Sequence, residues 1–193
     1  MCMQNHLNDI PENPSDVRLR PWLPGDAEPS ARLYMSAFPE DERRPLSEWE
    51  AMRCDEPKFD FRTVERDGTF VGFITSWALD GFRYVEHFAI EKTCRGGGVG
   101  SMALRIFLKN YPELPIVLEV EPPLTDMARR RIRFYEALGF RCLPDAYEQP
   151  PYRPGGEWLP LVLMVYPAAF AAGQPNVEHI SKKLHKYVYG RDK

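Results

Sequence analysis

The sequence predicts one α/β domain, built on a mixed but mostly antiparallel central sheet with flanking helices. Two Asp-Gly pairs, at residues 67–68 and 80–81, separate segments in which apolar and polar residues alternate, which is typical of antiparallel hairpins. A glycine-rich segment at residues 95–100 lies between a predicted strand and a predicted helix, and a further strand follows, which is typical of a parallel crossover. The length of 193 residues fits one domain of ordinary size.

The first half of the chain reads as two helices followed by an antiparallel meander. Asp26 is expected to cap the first helix, and Pro39 ends it because proline cannot continue a helical hydrogen-bond ladder. The predicted elements are a strand at 17–22, a turn at 24–26, a helix at 27–38, a charged loop at 40–44, a helix from Pro45 to about Arg53, and strands at 61–65, 70–78 and 83–90.

The second half alternates helices and strands. Apolar residues at 103, 104, 107, 108 and 111 mark one face of an amphipathic helix after the glycine-rich segment. The other predicted elements are a strand at 116–120 parallel to the strand before the glycines, a helix at 125–138 ended by Gly139, strands at 140–143 and 159–166 with a Pro- and Tyr-rich loop between them, and a Lys-rich, surface-lying last helix at 176–189.

Composition excludes several classes of protein. A net charge of -3 and a pI of about 5.9 argue against a nucleic-acid or anionic-membrane binder. Four scattered cysteines without a C-x-x-C pair favour a reducing compartment, and neither a signal peptide nor a membrane span is recognisable, so we expect a cytoplasmic protein. No H-E-x-x-H motif is present, and no metal is expected. We expect a flexible leader at 1–16, the main domain at 17–166 and a C-terminal helical extension at 167–193.

The glycine-rich segment has the properties of an anion site. Its backbone can approach a ligand closely, and amide N–H groups at the start of the following helix favour negative charge. A dinucleotide fingerprint is excluded because Ser101 stands where its third glycine would be, and no Gly-Lys-Ser/Thr follows to make a nucleoside-triphosphate loop.

Two motifs in order resemble the GNAT superfamily of N-acetyltransferases. Arg95, Gly98 and Gly100 match its R-x-x-G-x-G loop, and residues 134–140 are similar to its F-Y-E-x-x-G-F segment. The resemblance covers residues 17–166 and implies two splayed parallel strands in the sheet and acetyl-CoA as the co-substrate. The chain departs from the family where Glu121 is followed by two prolines, a place at which the family usually has Asn.

The resemblance also implies which residues bind the co-substrate. The backbone of the strand would pair with the pantetheine arm, and the glycine-rich loop would hold the pyrophosphate. These cofactor-binding candidates are Phe88, Ala89, Ile90, Arg95, Gly96, Gly97, Gly98, Val99, Gly100 and Ser101.

The titratable candidates follow from the needs of acetyl transfer to an amine. Tyr135 is similar to the family's general acid, and a phenol stays protonated at neutral pH; a core tyrosine is the alternative. Glu86 is the candidate base or water-relay carboxylate, because strand alternation places it on the same side as Phe88 and Ile90, with His87 on the other side as a packing residue.

Further carboxylates and aromatic residues are candidates for the acceptor site. Glu119 and Glu121 alternate with apolar neighbours on the strand at 116–120, so both could face the cleft and attract a cationic acceptor. Tyr147 and Tyr152, in the proline-rich loop, could wall the acceptor pocket. Solvated strand carboxylates and an ordered covering loop are the alternatives.

The sequence thus predicts an N-acetyltransferase in which an acceptor amine attacks acetyl-CoA directly, because no activated nucleophile is visible. A non-catalytic acyl-CoA-binding regulatory module and an interaction scaffold are the alternatives. The acceptor is a small-molecule or peptide amine whose identity stays open: polyamine, aminoglycoside, amino acid, peptide N-terminus or lysine side chain. The sequence also leaves a homodimer open.

Overall fold

The computed structural model describes residues 16–167 and 176–191. Within these residues the sheet has eight strands, which are β1 Val17–Pro21, β2 Phe59–Arg66, β3 Thr69–Leu79, β4 Phe82–Ile90, β5 Ile116–Val120, β6 Arg141–Cys142, β7 Tyr147–Gln149 and β8 Leu159–Tyr166. Their order is β1-β2-β3-β4-β5-β8-β6, with β7 paired to β8, and every pairing is antiparallel except that between β4 and β5. This is the mixed, mostly antiparallel sheet that the sequence predicts.

In the described part of the chain, five α-helices cover the two faces of the sheet. They are α1 Ala27–Ala37, α2 Leu46–Asp55, α3 Val99–Asn110, α4 Asp126–Glu136 and α5 Val177–Lys183, and α5 continues as π-helical turns over Leu184–Val188. Thr125 caps α4 by accepting a 3.0 Å hydrogen bond from the amide of Ala128, and Asn176 caps α5 in the same way. None of the helices in the described residues is long and apolar enough to cross a membrane.

The core consists of two clusters, one on each face of the sheet. The first packs α1, α2 and the C-terminal helix on the sheet around Tyr34, Trp49 and Trp77. The second packs α3 and α4 on the other face around Leu104, Phe107 and Leu118. The candidate site lies between these clusters, where β4 and β5 part.

The C-terminal helix corrects the expectation of a surface element. Its apolar residues Val177, Ile180, Leu184 and Val188 are all buried in the first cluster, while Lys182 and Lys186 are exposed. The lysine content predicted exposure correctly for one face alone, because an amphipathic helix buries the other.

Two local predictions also differ from the structure. Asp26 occupies the N-cap position of α1 but makes no capping bond from its side chain. Its carboxylate instead accepts two hydrogen bonds from Arg20, at 2.6 and 2.9 Å, one from Thr63 at 2.9 Å and one from the Leu23 amide at 2.8 Å. A two-bond pair between a guanidinium and a carboxylate is stronger than a single bond from a backbone amide. The proline-rich loop, predicted to be irregular, contains the short strand β7.

Candidate active site

The parallel strands β4 and β5 pair over a short distance and then separate. They pair at three positions only, the last being Val85 with Leu118. Beyond this point β4 continues to Ile90 and pairs with β3, whereas β5 continues to Val120 and pairs with β8. A wedge-shaped opening therefore lies in the middle of the sheet, and it exposes one backbone edge of β4.

The glycine-rich loop forms one end of this opening. A Cβ atom added at Gly96, Gly97 or Gly98 would meet no atom within 4 Å, so the loop borders open space. Gly98 adopts a φ of 77° at the start of α3, a conformation that favours glycine. The loop thus brings the first amides of a 12-residue helix to an open surface, which is the shape that a pyrophosphate needs.

The other residues predicted to bind the cofactor differ in whether their backbone or their side chain could face a ligand. The Arg95 guanidinium donates a 2.9 Å hydrogen bond from Nε to the carbonyl of Ile90, which ties the loop to the end of β4. Val99 is buried in the core, so only its backbone can face a ligand. Phe88 and Ile90 pack toward α3 and α4, whereas Ala89 lies in the cluster on the opposite face.

A β-bulge at Glu86 changes the predicted side-chain directions on β4. Val85 pairs with Ser76 and His87 pairs with Thr75, so Glu86 is an extra residue without a partner on β3. Glu86 and His87 therefore lie on the same side, and Phe88 lies on the other. The expectation that Glu86 shares a face with Phe88 and Ile90 is wrong, because strict alternation does not hold across a bulge.

The side chain of Glu86 is fully buried and is held by three other side chains. Its Oε1 accepts a 3.0 Å bond from Nη2 of Arg44 and a 3.1 Å bond from the Tyr152 hydroxyl, and its Oε2 accepts a 2.8 Å bond from the Trp77 indole. Burial raises the pKa of Glu86, but the charge of Arg44 and these hydrogen bonds outweigh it and leave the pKa below its usual value. Glu86 is therefore an ionised member of a buried ion pair.

His87 is a buried, neutral neighbour of this pair. Burial lowers the pKa of His87 to about 4. Its ring packs edge-on against Phe38 at 4.5 Å and Tyr34 at 5.0 Å between centroids. The expectation of a packing residue fits these contacts.

Glu119 lies at the matching position on β5, directly after the last residue paired to β4. Its Oε2 accepts bonds of 2.9 Å from the hydroxyls of both Tyr84 and Tyr189, and its Oε1 accepts a bond from Tyr147. No cation pairs with it among the described residues. Burial raises the pKa of Glu119 to about 7 in spite of the three hydrogen bonds.

Tyr135 lies on α4 in the second cluster. It is 9% exposed, and its ring packs against Phe140 with centroids 5.6 Å apart. Burial raises the pKa of Tyr135 to about 12, so the phenol keeps its proton at neutral pH. Within the described part of the chain, no group forms a hydrogen bond with its hydroxyl, which leaves this proton free for a ligand.

Glu121 does not join the other carboxylates. It is half-buried at the end of β5 and pairs with Arg131, one helical turn before Tyr135. The structure thus brings together Glu86, Glu119, Tyr147 and Tyr152 on one side of the opening, and places Glu121 and Tyr135 beside α4.

An acidic groove leads from the surface to Tyr152. It has a volume of about 330 Å³ and its walls include Glu40, Asp41, Glu157 and Arg153. Arg153 pairs with Glu40, so the remaining carboxylates give the groove a negative character. Within the described residues, no cluster of three or more His, Cys, Asp or Glu side chains could hold a metal ion.

Sequence reasoning missed four residues that surround the two buried carboxylates. They are Arg44, Trp77, Tyr84 and Tyr189. Arg44 lies in a charged loop and Tyr189 at the end of the chain, so no local pattern connects either of them to the strands. For Tyr84 a signal existed, since it is two residues from Phe82 and so shares its face of a buried strand. A buried tyrosine usually has a hydrogen-bond partner.

Comparison with known proteins defines the class to which this fold and opening belong. The model of the acetyltransferase (GNAT) family matches residues 27–140. An uncharacterized N-acetyltransferase of Methanocaldococcus jannaschii is 34% identical over 95 residues, which cover 46% of this chain. The chain spans 58% of the length of that relative.

Solved structures show the same architecture. A protein assigned to the GNAT family of acetyltransferases in Bacteroides thetaiotaomicron has a TM-score of 0.82 at 37% identity, covering 91% of this chain and 99% of that one. Arabidopsis thaliana NAA60 in complex with acetyl-CoA has a TM-score of 0.59 at 18% identity, with 78% and 98% covered. The ribosomal-protein-S18-alanine N-acetyltransferase of Escherichia coli has a TM-score of 0.59 at 15% identity, with 82% and 98% covered. The last two show a shared fold alone.

The chain belongs to the GNAT family of acetyltransferases. The predicted family and fold class are confirmed, and so is the acetyl-CoA-dependent N-acetyltransferase class at the level of the family. A non-catalytic module is not favoured, since the matching proteins carry the names of acetyltransferases.

Proposed function

We propose that this protein transfers an acetyl group from acetyl-CoA to an acceptor amine by direct attack in a ternary complex. The opening between β4 and β5 carries the proposal, since it has an open glycine loop at one end and two buried carboxylates where the strands part. When bound, acetyl-CoA supplies the activated acyl group as a thioester. Residues 88–90 would pair with its arm through the backbone, and residues 95–101 would hold its pyrophosphate.

Glu119 is the proton acceptor in this proposal, rather than Glu86. A general base works best when its pKa lies near the working pH, and the pKa of Glu119 is about 7. Glu86 is already committed to Arg44, whose charge stabilises the ionised form and makes it a weaker base. Glu86 instead holds Arg44 and Tyr152 in place at the inner end of the acidic groove.

Tyr135 is the proton donor. Its phenol proton would pass to the sulfur that leaves as the new carbon–nitrogen bond forms and the carbon–sulfur bond breaks. The pKa of about 12 keeps that proton on Tyr135 until the thiolate, a stronger base than the thioester sulfur, needs it. An ammonium acceptor loses two protons in the same turnover, one to Glu119 before the attack and one to solvent as the amide forms, and solvent exchange restores Glu119 and Tyr135.

The acidic groove favours an acceptor that carries positive charge. Asp41 and Glu157 lie in its wall and Tyr152 connects it to Glu86 and so to the buried carboxylates. A cationic small amine and a peptide amine both meet this requirement. The three described cysteines are free thiols, which supports a cytoplasmic location.

An acceptor panel with acetyl-CoA tests the proposal. The panel contains a diamine, a free amino acid, a peptide with a free N-terminus and an N-blocked peptide with lysine, and released CoA thiol is measured. We expect thiol release that depends on at least one amine, and a fall of about 10²–10⁴-fold in Glu119→Gln. Glu148→Gln, an exposed change on β7, is the matched control and should keep full activity. Thiol release that no amine stimulates would contradict the proposal.

A further inference from the structure

Three oxygen atoms beside the opening form a closed triangle. Oε2 of Glu119 lies 2.9 Å from the hydroxyls of both Tyr84 and Tyr189, and these two hydroxyls lie 3.0 Å from each other. Each of the three distances is within the normal range for an O–H···O hydrogen bond. Tyr147 donates separately to Oε1, so it does not share in the triangle.

The triangle can accommodate one more proton than its two tyrosines supply, because it has three contacts between oxygen atoms. A phenol carries one proton, and an ionised carboxylate carries none and can only accept. If Glu119 is ionised, the two phenol protons can form only two of the three hydrogen bonds. One contact of the triangle then joins two oxygen atoms with no proton between them. If Glu119 carries a proton, each oxygen donates once and accepts once around the ring, and all three contacts are hydrogen bonds.

The surroundings favour the extra proton. The groups that face Glu119 are Tyr84 and Glu86 on β4, Tyr147 on β7, Tyr152 in the following loop, and Tyr189 after the C-terminal helix. The negative charge of Glu86 opposes ionisation of Glu119. Arg44, the cation beside Glu86, is bound to that carboxylate and to the carbonyl of Val188 instead of to Glu119.

We propose that the triangle of Glu119, Tyr84 and Tyr189 is a proton store, and that Tyr189 makes the C-terminal helix a working part of the active site. The inference rests on the proposed function. The store releases its proton to solvent and becomes a carboxylate that the acceptor's ammonium group can protonate. In that transfer one N–H bond of the ammonium group breaks and one O–H bond forms on Glu119, and no other covalent bond changes. Tyr189 acts through Glu119 and is a positioning residue.

The family model matches this chain only as far as residue 140, so the match does not assign this role to Tyr189. Tyr147 and Tyr189 both lie beyond it. Tyr189 reaches Glu119 because the π-helical turns after α5 wrap its ring against Tyr152, at 5.0 Å between centroids. Within the triangle, Tyr189 is therefore the residue that lies outside the matched range.

Carbon-13 NMR of the glutamate carboxyls tests the store without any co-substrate. We expect one resonance to titrate with a midpoint near pH 7 and to be absent in Glu119→Gln. Tyr189→Phe should raise that midpoint by about one pH unit, because the carboxylate loses a charge-assisted hydrogen bond whereas the protonated form loses only weaker neutral ones. Tyr187→Phe, an exposed change two residues earlier, is the matched control and should leave the midpoint unchanged.

The outcome separates the store from the proposed function. If Glu119 titrates in the ordinary range of about 4 to 5, or if Tyr189→Phe leaves its midpoint in place, the store is refuted even when acetyl transfer is observed. If the midpoint behaves as expected, the acidic limb of kcat/KM should shift upward by the same amount in Tyr189→Phe. An unchanged limb would show that the store does not serve catalysis.

Discussion

Glu86 and Glu119 occupy equivalent positions, each directly after the last residue that pairs β4 with β5. Their neighbours give them opposite acid–base character. Arg44 keeps the pKa of Glu86 low, whereas Glu119 accepts hydrogen bonds from neutral hydroxyls alone among the described residues, and burial raises its pKa to about 7. A buried carboxylate thus becomes an ion-pair partner or a base according to whether a cation can reach it.

Tyr135→Phe should separate catalysis from packing at α4. The change removes only the hydroxyl, so we expect the stability to be kept and the turnover to fall by about 10-fold or more. The loss should shrink with a thioester whose thiol is more acidic, since that leaving group needs less help from a proton donor. Tyr166→Phe, whose ring also packs on Phe140, is the control and should keep its turnover. Full activity together with a destabilised fold would identify Tyr135 as a core residue only.

Glu86→Gln should act mainly on stability. The change leaves the buried Arg44 without its negative partner, and we expect the free energy of unfolding at pH 7 to fall by about 3–5 kcal/mol. Because the pKa of Glu86 is lowered in the folded state, its contribution is present above the unfolded pKa of about 4.3 and is lost as the pH falls through the folded pKa. The penalty of the variant should therefore shrink in acid.

Urea unfolding at pH 7 and at successively lower pH measures this penalty. Glu178→Gln, which breaks an exposed pair with Lys182, is the matched control and should have almost no effect. A penalty for Glu86→Gln as small as that of the control, or one that does not depend on pH, would contradict the ion-pair account.

At the scale of elements, the two devices that shape the site are the glycine-rich loop and the bulge on β4. The loop could be predicted, because four glycines before an amphipathic helix are a local signal. The bulge could not be predicted, because the Asp-Gly turn at residues 80–81 fixes the strand register only close to the turn. The extra residue at Glu86 is stabilised by long-range contacts with Arg44 and Trp77, which no local pattern records. Because of this bulge, the side chain of Glu86 lies on the side of the sheet opposite to the one that strict alternation predicts.

Gly97→Val should abolish CoA binding while keeping the fold. Gly97 has open space around its Cα and no positive φ, so a side chain is accommodated but fills the volume that the pyrophosphate needs. We expect CoA to raise the melting temperature of the wild type and not that of the variant. Gly98→Val is the poorer test, because its φ of 77° strains any side chain there and lowers stability without a ligand.

Gly25→Val provides the control for this experiment. Gly25 also has open space and no positive φ, but it lies in the turn before α1. Its variant should keep the CoA-induced shift. Equal shifts for the wild type and Gly97→Val would contradict the assignment of the loop.

At the scale of the molecule, the sheet follows from local signals, and the resemblance of two motifs implies the family and the splayed strands. Neither predicts the surroundings of the two buried carboxylates. Residues 44, 84, 147 and 189 meet at the buried carboxylates from four separate parts of the chain. Such a meeting depends on tertiary packing, which no periodicity records. The domain boundaries and the homodimer stay predictions, and residues 1–15 of the predicted leader lie outside the described residues.

The destination of the acetyl group tests the central claim most directly. The protein is incubated with acetyl-CoA labelled in its acetyl group, with and without the best acceptor of the panel, and the protein and the small molecules are analysed by mass spectrometry. Direct transfer predicts label on the acceptor nitrogen in an amount equal to the thiol released, and none on the protein in the absence of acceptor. Label on a protein side chain that is then passed to the amine would contradict direct transfer in a ternary complex.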